Sequence, residues 1–248
     1  MPRPIEHALT GSALMLLLAA CGGSDRFSVQ VNPGGIESPP FLPPASTGVT
    51  VDTAAAWRHY LGTAQRWEVA GQQNGNAFSL ALTLTPGPIS IFPYNGQLAQ
   101  TSTESLRLRF AGVASVDTDA TLYYSNGSLI GIVGGSGASA RCAVIRTPFT
   151  ALPTNSRVGD SGTIVSLARL AACTPDAQQI GSVTLRWSIE QDLAVTLFCL
   201  TSLQQAPQGT PAGAQTACMQ TTAQGELGGS ARLSVRRPDG SEVSGKNY

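Results

Sequence analysis

Residues 182–200, SVTLRWSIEQDLAVTLFCL, decide the fold. Val183, Leu185, Trp187 and Ile189 alternate with Thr184, Arg186, Ser188 and Glu190. A period of two places the first set on one face of a β-strand and the second on the other, the pattern of an antiparallel strand with one face packed and one wet. The chain resumes as AVTLFCL, apolar at both parities, which is expected of a central strand.

The same period extends in both directions. Phe78, Leu80, Leu82 and Leu84 share one face, and so do Leu106, Leu108 and Phe110, and Ala231, Leu233 and Val235. Turn residues separate these runs: Asn74-Gly75, Pro86-Gly87-Pro88, Asn95-Gly96, Asn126-Gly127, Gly134-Gly135 and Asp239-Gly240. Asn126-Gly127 is the sharpest, because it stands between two strand-like runs as a type I′ hairpin dipeptide. The C-terminal half is predicted to be a meander over 162–172, 181–190, 193–202, 214–222 and 229–237, and the N-terminal half supplies about five or six more strands in the same style. One short helix is expected over Thr53–Leu61, capped by Asp52 or Thr53. The fold class is therefore all-β: an antiparallel meander forming a sandwich or a curved, partly closed barrel, with one short N-terminal helix. Periodicity cannot separate sandwich from barrel, since both place one strand face inward.

The N-terminus reads as an export signal. Arg3 precedes an apolar run from Ala8 to Ala20 that is too short to span a bilayer as an anchor helix. Leu18-Ala19-Ala20-Cys21 resembles the lipobox of bacterial lipoproteins, in which the Cys thiol is acylated and becomes the new N-terminus. The resemblance implies lipidation at Cys21. It also implies delivery to the outer membrane, since Gly22 stands where the family's inner-membrane retention signal has Asp. Residues 1–20 are then a signal peptide. Residues 21–48, with Pro33, Pro39, Pro40, Pro43 and Pro44, form a semi-extended tether. Residues 49–248 form the β domain, either single or as two meander halves, 49–147 and 148–248.

Charge balances to zero with only 12% charged residues, which leaves no basic stripe for nucleic acid. After Cys21 the chain holds Cys142, Cys173, Cys199 and Cys218, an even set suited to an oxidising compartment. Four cysteines allow three pairings. Cys199 and Cys218 are nearly equidistant from the centre of QQAPQGTPAG, so a hairpin there brings them opposite each other, and Cys142 then pairs with Cys173. No CxxC spacing exists and His59 is the one histidine outside the signal, so no metal site is expected.

Gly159-Asp160-Ser161-Gly162 resembles the quartet around the nucleophile of trypsin-like serine proteases. That resemblance implies a base at His59, an orienting Asp117 or Asp119, and a nucleophile at Ser161, in the family's chain order. The surrounding residues depart from the pattern: Ala56-Trp57-Arg58 separate Ala54-Ala55 from His59, and Thr163-Ile164 stand where Gly-Pro belongs. Asp and Ser between glycines also make a turn, because their side chains bond nearby backbone N–H groups while glycine permits positive φ. The longer segment LPTNSRVGDSGTI is similar to one recurring in uncharacterised β-rich lipoproteins of proteobacteria that carry Leu-Ala-Ala-Cys-Gly-Gly near the N-terminus. The similarity covers roughly residues 128–240 and the signal and implies no activity; the four mature cysteines depart from it.

Glu68, Glu104, Glu190, Asp192 and Glu226 are scattered, with no spacing that pairs them for glycoside hydrolysis. Trp57, Trp67 and Trp187 are candidates for a sugar platform, although Trp187 lies on the apolar face of its strand. The expectation is a non-enzymatic outer-membrane lipoprotein without cofactor, facing the periplasm. It would bind a ligand in a curved sheet or a protein partner on an edge strand. The alternative is a serine hydrolase using His59, Asp119 and Ser161.

Overall fold

The computed structural model describes residues 48–110, 113–135 and 137–248, with the side chains of 113–116 and 138 also outside it. The signal peptide, Cys21 and the tether up to residue 47 thus lie outside the described residues.

Helix α1 spans Thr53–Gly62, and Asp52 caps it: its carboxylate accepts from Ala55 N at 2.8 Å. The strands are β1 (Thr50–Val51), β2 (Gln65–Gln73), β3 (Asn76–Ile91), β4 (Leu98–Phe110), β5 (Val113–Ser125), β6 (Ser128–Gly134) and β7 (Arg141–Ile145). They continue as β8 (Ser156–Arg157), β9 (Ser161–Leu170), β10 (Gln179–Asp192), β11 (Val195–Gln205), β12 (Pro211–Thr221), β13 (Leu227–Arg236) and β14 (Glu242–Lys246). Apart from the small β1–β8 pair, they form one twelve-stranded antiparallel sheet in the order β14-β13-β12-β11-β10-β9-β7-β6-β5-β4-β3-β2. The two meanders of the sequence join where β7 pairs β9, with Ala143 opposite Arg169.

This sheet curls into a nearly closed barrel. Register shifts at Gly87/Ser90, Leu108/Phe110, Tyr123/Tyr124 and Leu185/Arg186 bend the strands, as bulges do. The edge strands β2 and β14 then meet through side chains. Asn247 Nδ2 donates to Glu68 O at 3.2 Å, and Gln73 Nε2 donates to Glu242 O at 2.8 Å. Closure covers the edges of β2 and β14 with each other, which is how small barrels avoid edge-to-edge pairing there.

Expected alternation is observed. Leu80, Leu82, Leu84, Leu106, Ile189, Phe198, Ala231 and Leu233 are all buried on the inward face. Asn126 and Gly127 have φ of 49° and 77°, the positive pair that a type I′ hairpin demands. Pro86-Gly87-Pro88 departs from expectation: it lies inside β3, not in a turn. β2 reaches only as far as Leu84, so beyond it one side of β3 has no ladder and a proline there forfeits no hydrogen bond. Gly87 also lets Thr101 pass closely enough for its hydroxyl to donate to Pro88 O at 2.8 Å.

Helix α1 closes one end of the barrel. Trp57 Nε1 donates to Gly127 O at 2.6 Å and Tyr124 OH donates to Leu61 O at 3.1 Å. Asp52 N donates to Ala223 O at 2.9 Å. The β12–β13 turn comes so close that a Cβ on Gly225, at φ +82°, would stand 2.4 Å from Asp52 O. Each large apolar side chain buried against the helix contributes roughly 1.5–3 kcal/mol relative to exposure.

Candidate functional site: a cup in the open half of the barrel

The inward face changes character along the strands. On β11, Phe198 is fully buried while Leu200, Ser202 and Gln204 are half-buried. On β10, Ile189 is buried and Leu185 is half-buried; on β12, Met219 and Ala217 are buried and Gln215 is half-buried. On β13, Leu233 gives way to a half-buried Val235. The register keeps Leu185, Ser202, Gln215 and Val235 in one row of the same face. Solvent therefore reaches the β11–β13 side of the interior away from α1, whereas Val183, Phe78, Leu80, Leu108 and Val243 stay buried on the other walls, so the barrel is a cup open along one side.

A polar cluster crosses the lumen at the level of Gln215, where the packed base ends. Glu104 on β4 and Gln215 on β12 stand on different walls, yet Gln215 Nε2 donates to Glu104 Oε1 at 2.7 Å. Tyr60 OH, from α1, donates to Glu104 Oε2 at 2.5 Å. The carboxylate thus ties the helix to both halves of the sheet. Burial, and then the carboxylate of Glu104, raise the Tyr60 pKa well above the ordinary value, so the phenol stays a donor. Farther up the wall, Arg141 on β7 and Arg169 on β9 face the same interior: Arg141 is in phase with buried Ala143, and Arg169 with buried Val165 and Leu167. Apolar walls with a few convergent polar groups are the ordinary composition of a small-ligand site.

One of these residues carried a sequence signal. Arg169 lies in phase with the apolar stripe of TIVSLARL, where the alternation calls for another aliphatic residue. Gln215 and Glu104 carried none, because their pairing spans 111 positions of the chain.

The expected disulfides are present as Cys142–Cys173 and Cys199–Cys218, the second between directly opposed residues of β11 and β12. Glu190, Cys199 and Cys218 lie together on the outer wall, but both sulfurs are in the disulfide, so they offer no thiolate to a metal. Above that disulfide Arg232 pairs with Glu190, and Lys246 and the Tyr248 hydroxyl both reach Asp192.

His59, Asp119 and Ser161 have separate partners. His59 Nδ1 accepts from Leu227 N at 2.7 Å, and Asp119 accepts from Ser105 Oγ at 2.6 Å and pairs with Arg107. Ser161 begins β9 opposite Ser188, and among the described residues no hydrogen bond joins any two of the three. Gly159-Asp160-Ser161-Gly162 forms a turn: Asp160 N donates to Arg157 O at 2.9 Å, Asp160 Oδ2 accepts from Arg157 N at 2.7 Å, and Gly159 has φ of 97°. The tryptophans make no sugar platform. All three are buried, and the indoles of Trp57 and Trp67 are spent on Gly127 O and Gly228 O.

A shallow groove of about 350 Å³ on the outer wall, against Phe92, Tyr94, Ile130 and Val144, has no ionisable group other than the Tyr94 phenol to orient a charged ligand. No protein-family model matches this chain, and neither a curated protein nor a solved structure does.

Proposed function

We propose that the protein is a binding module of the bacterial cell envelope, lipid-anchored at Cys21 to the outer membrane and facing the periplasm, that holds a small ligand in the open half of its barrel. One observation carries the binding reading: along β11, β12 and β13 the inward face passes from fully buried to half-buried, so one side of the interior is accessible away from α1.

The anchor reading draws support from the outer wall. Arg107, Asp117, Asp119, Glu190 and Arg232 lie outward, and such charges are costly against hydrocarbon. The wall is suited to water, and attachment falls to the lipidated N-terminus. The paired disulfides fit an oxidising envelope compartment.

The binding reading is tested with N-phenyl-1-naphthylamine, a neutral apolar probe that brightens in a dry cavity. Wild-type protein should enhance its emission saturably. Ser202→Trp, which fills the interior between Leu185 and Gln215, should abolish the enhancement, and Ser234→Trp on the outward face of β13 should leave it unchanged. Equal response from both variants refutes the cup. Cys21→Ser should move the protein from the membrane to the soluble fraction, and unchanged fractionation refutes the anchor.

A further inference from the structure

We propose that the cup takes an amphiphilic organic anion, its oxyanion head held between Arg141 and Arg169 and its apolar body against the half-buried aliphatic wall. The inference rests on the cup being a binding site and names the chemistry of its occupant.

Register places the two arginines together. Ala143 opposes Arg169 across the β7–β9 ladder and Arg141 is two residues before Ala143, so the arginines are diagonal neighbours on the inward face. Each is flanked by a position without a side chain: Gly134 stands opposite Arg141 on β6, and Gly181 opposite Arg169 on β10.

Neither guanidinium has an acidic partner among the described residues. Nη1 of Arg141 is buried with no acceptor. Arg169 loses basicity to its burial first and to the neighbouring Arg141 second. The inward carboxylate, Glu104, lies on the same ladder row as Arg141, reached through Ala120 and Gly134. Three strand spacings, about 14 Å along the wall, separate them. Its two oxygens are already engaged by Tyr60 and Gln215.

Buried donors are rarely left unpaired, because removal from water without a replacement bond costs free energy. Two neighbouring guanidiniums offer planar forks that match carboxylate, phosphate or sulfonate oxygens. Leu185, Leu200 and Val235 supply the apolar surface that an inorganic anion would not use.

The test compares N-phenyl-1-naphthylamine with its 8-sulfonate, 8-anilino-1-naphthalenesulfonate, two probes that share a skeleton and differ in one anionic group. On the Cys21→Ser chain, the sulfonate should bind at least tenfold tighter than the neutral probe. Arg141→Gln and Arg169→Gln should each weaken the sulfonate at least fivefold and change the neutral probe less than twofold. Decanoate should displace the sulfonate at concentrations where inorganic phosphate does not. Both variants should melt no lower than wild type, since each removes a half-buried charge without an acidic partner; a lower melting temperature would assign the arginines to structure and refute the inference. Neutral-probe binding with no sulfonate preference refutes the anion site and leaves the cup standing. Displacement by phosphate as readily as by decanoate refutes the amphiphile. Failure of both probes refutes the cup itself and this inference with it.

Discussion

Tyr60→Phe removes one oxygen from the centre of the molecule and tests the base of the cup. The phenol is 3% exposed and donates to Glu104 Oε2 at 2.5 Å. Without it that oxygen is left in a half-buried site with no donor, and a hydrogen bond to a charged group is worth about 1.5–3 kcal/mol. At pH 7.5 the variant should lose that much stability by urea denaturation with its disulfides intact.

The pH dependence is more diagnostic. Burial and Glu104 raise the folded-state Tyr60 pKa above its unfolded value, so its contribution is complete below about pH 10 and is lost as pH rises toward the folded pKa. In that window the unfolded chain releases a proton that the native state keeps. Stability then falls by about 1.4 kcal/mol per pH unit for this one group. Burial raises Tyr124 as well, and burial with the Asp192 bond pushes Tyr248 up to about 12, so wild type should fall more steeply than one proton requires. Tyr60→Phe should make the decline between pH 10 and 11.5 shallower by one proton. An unchanged slope, or a loss at pH 7.5 below about 0.5 kcal/mol, would refute a buried Tyr60–Glu104 bond.

Two further outcomes follow from the fold. Replacing Cys199 and Cys218 together by Ala should cost about 3 kcal/mol, the loop-closure value for their sequence separation of 19, read as a lower urea midpoint. Native protein denatured without reductant should show none of the four barrel cysteines as free thiols; four free thiols would refute the pairing. Gly225→Ala should destabilise by well over 1 kcal/mol, because positive φ is compounded by collision with Asp52 O and Ala56 N. Gly209→Ala, at φ +78° with open space around it, should cost only the backbone strain of about 1 kcal/mol, and equal losses would refute the close helix–turn contact.

Much of the local structure was legible because it depends on residues close in sequence. The alternation in 182–190 set the faces of β10, Asp52 marked the start of α1, and Asn126-Gly127 marked a hairpin, each through neighbours a few positions apart. The Cys199–Cys218 pairing was legible for the same reason, since a hairpin folds symmetrically about its turn. Pro86-Gly87-Pro88 misled because a proline's tolerance in a strand depends on whether a neighbour pairs with that side, and β2 ends too early to do so. GDSG had two meanings, nucleophile or turn, and the surrounding residues favoured the turn that the structure contains.

By itself, then, the amino-acid sequence determined an all-β meander with one capped helix, its strand faces and its disulfide pairs, since these rest on period, turn chemistry and symmetry about a hairpin. Tertiary structure alone decided that the sheet closes on itself, because β2 and β14 meet only when bulges and twist accumulate around the whole circuit. It alone decided that the β11–β13 side of the interior is accessible away from α1 while the rest is filled. And it alone brought Glu104 to Tyr60 and Gln215, and set Arg141 beside Arg169 without a counter-ion, because inward alternation places a residue inside the barrel and leaves open what it meets across the lumen.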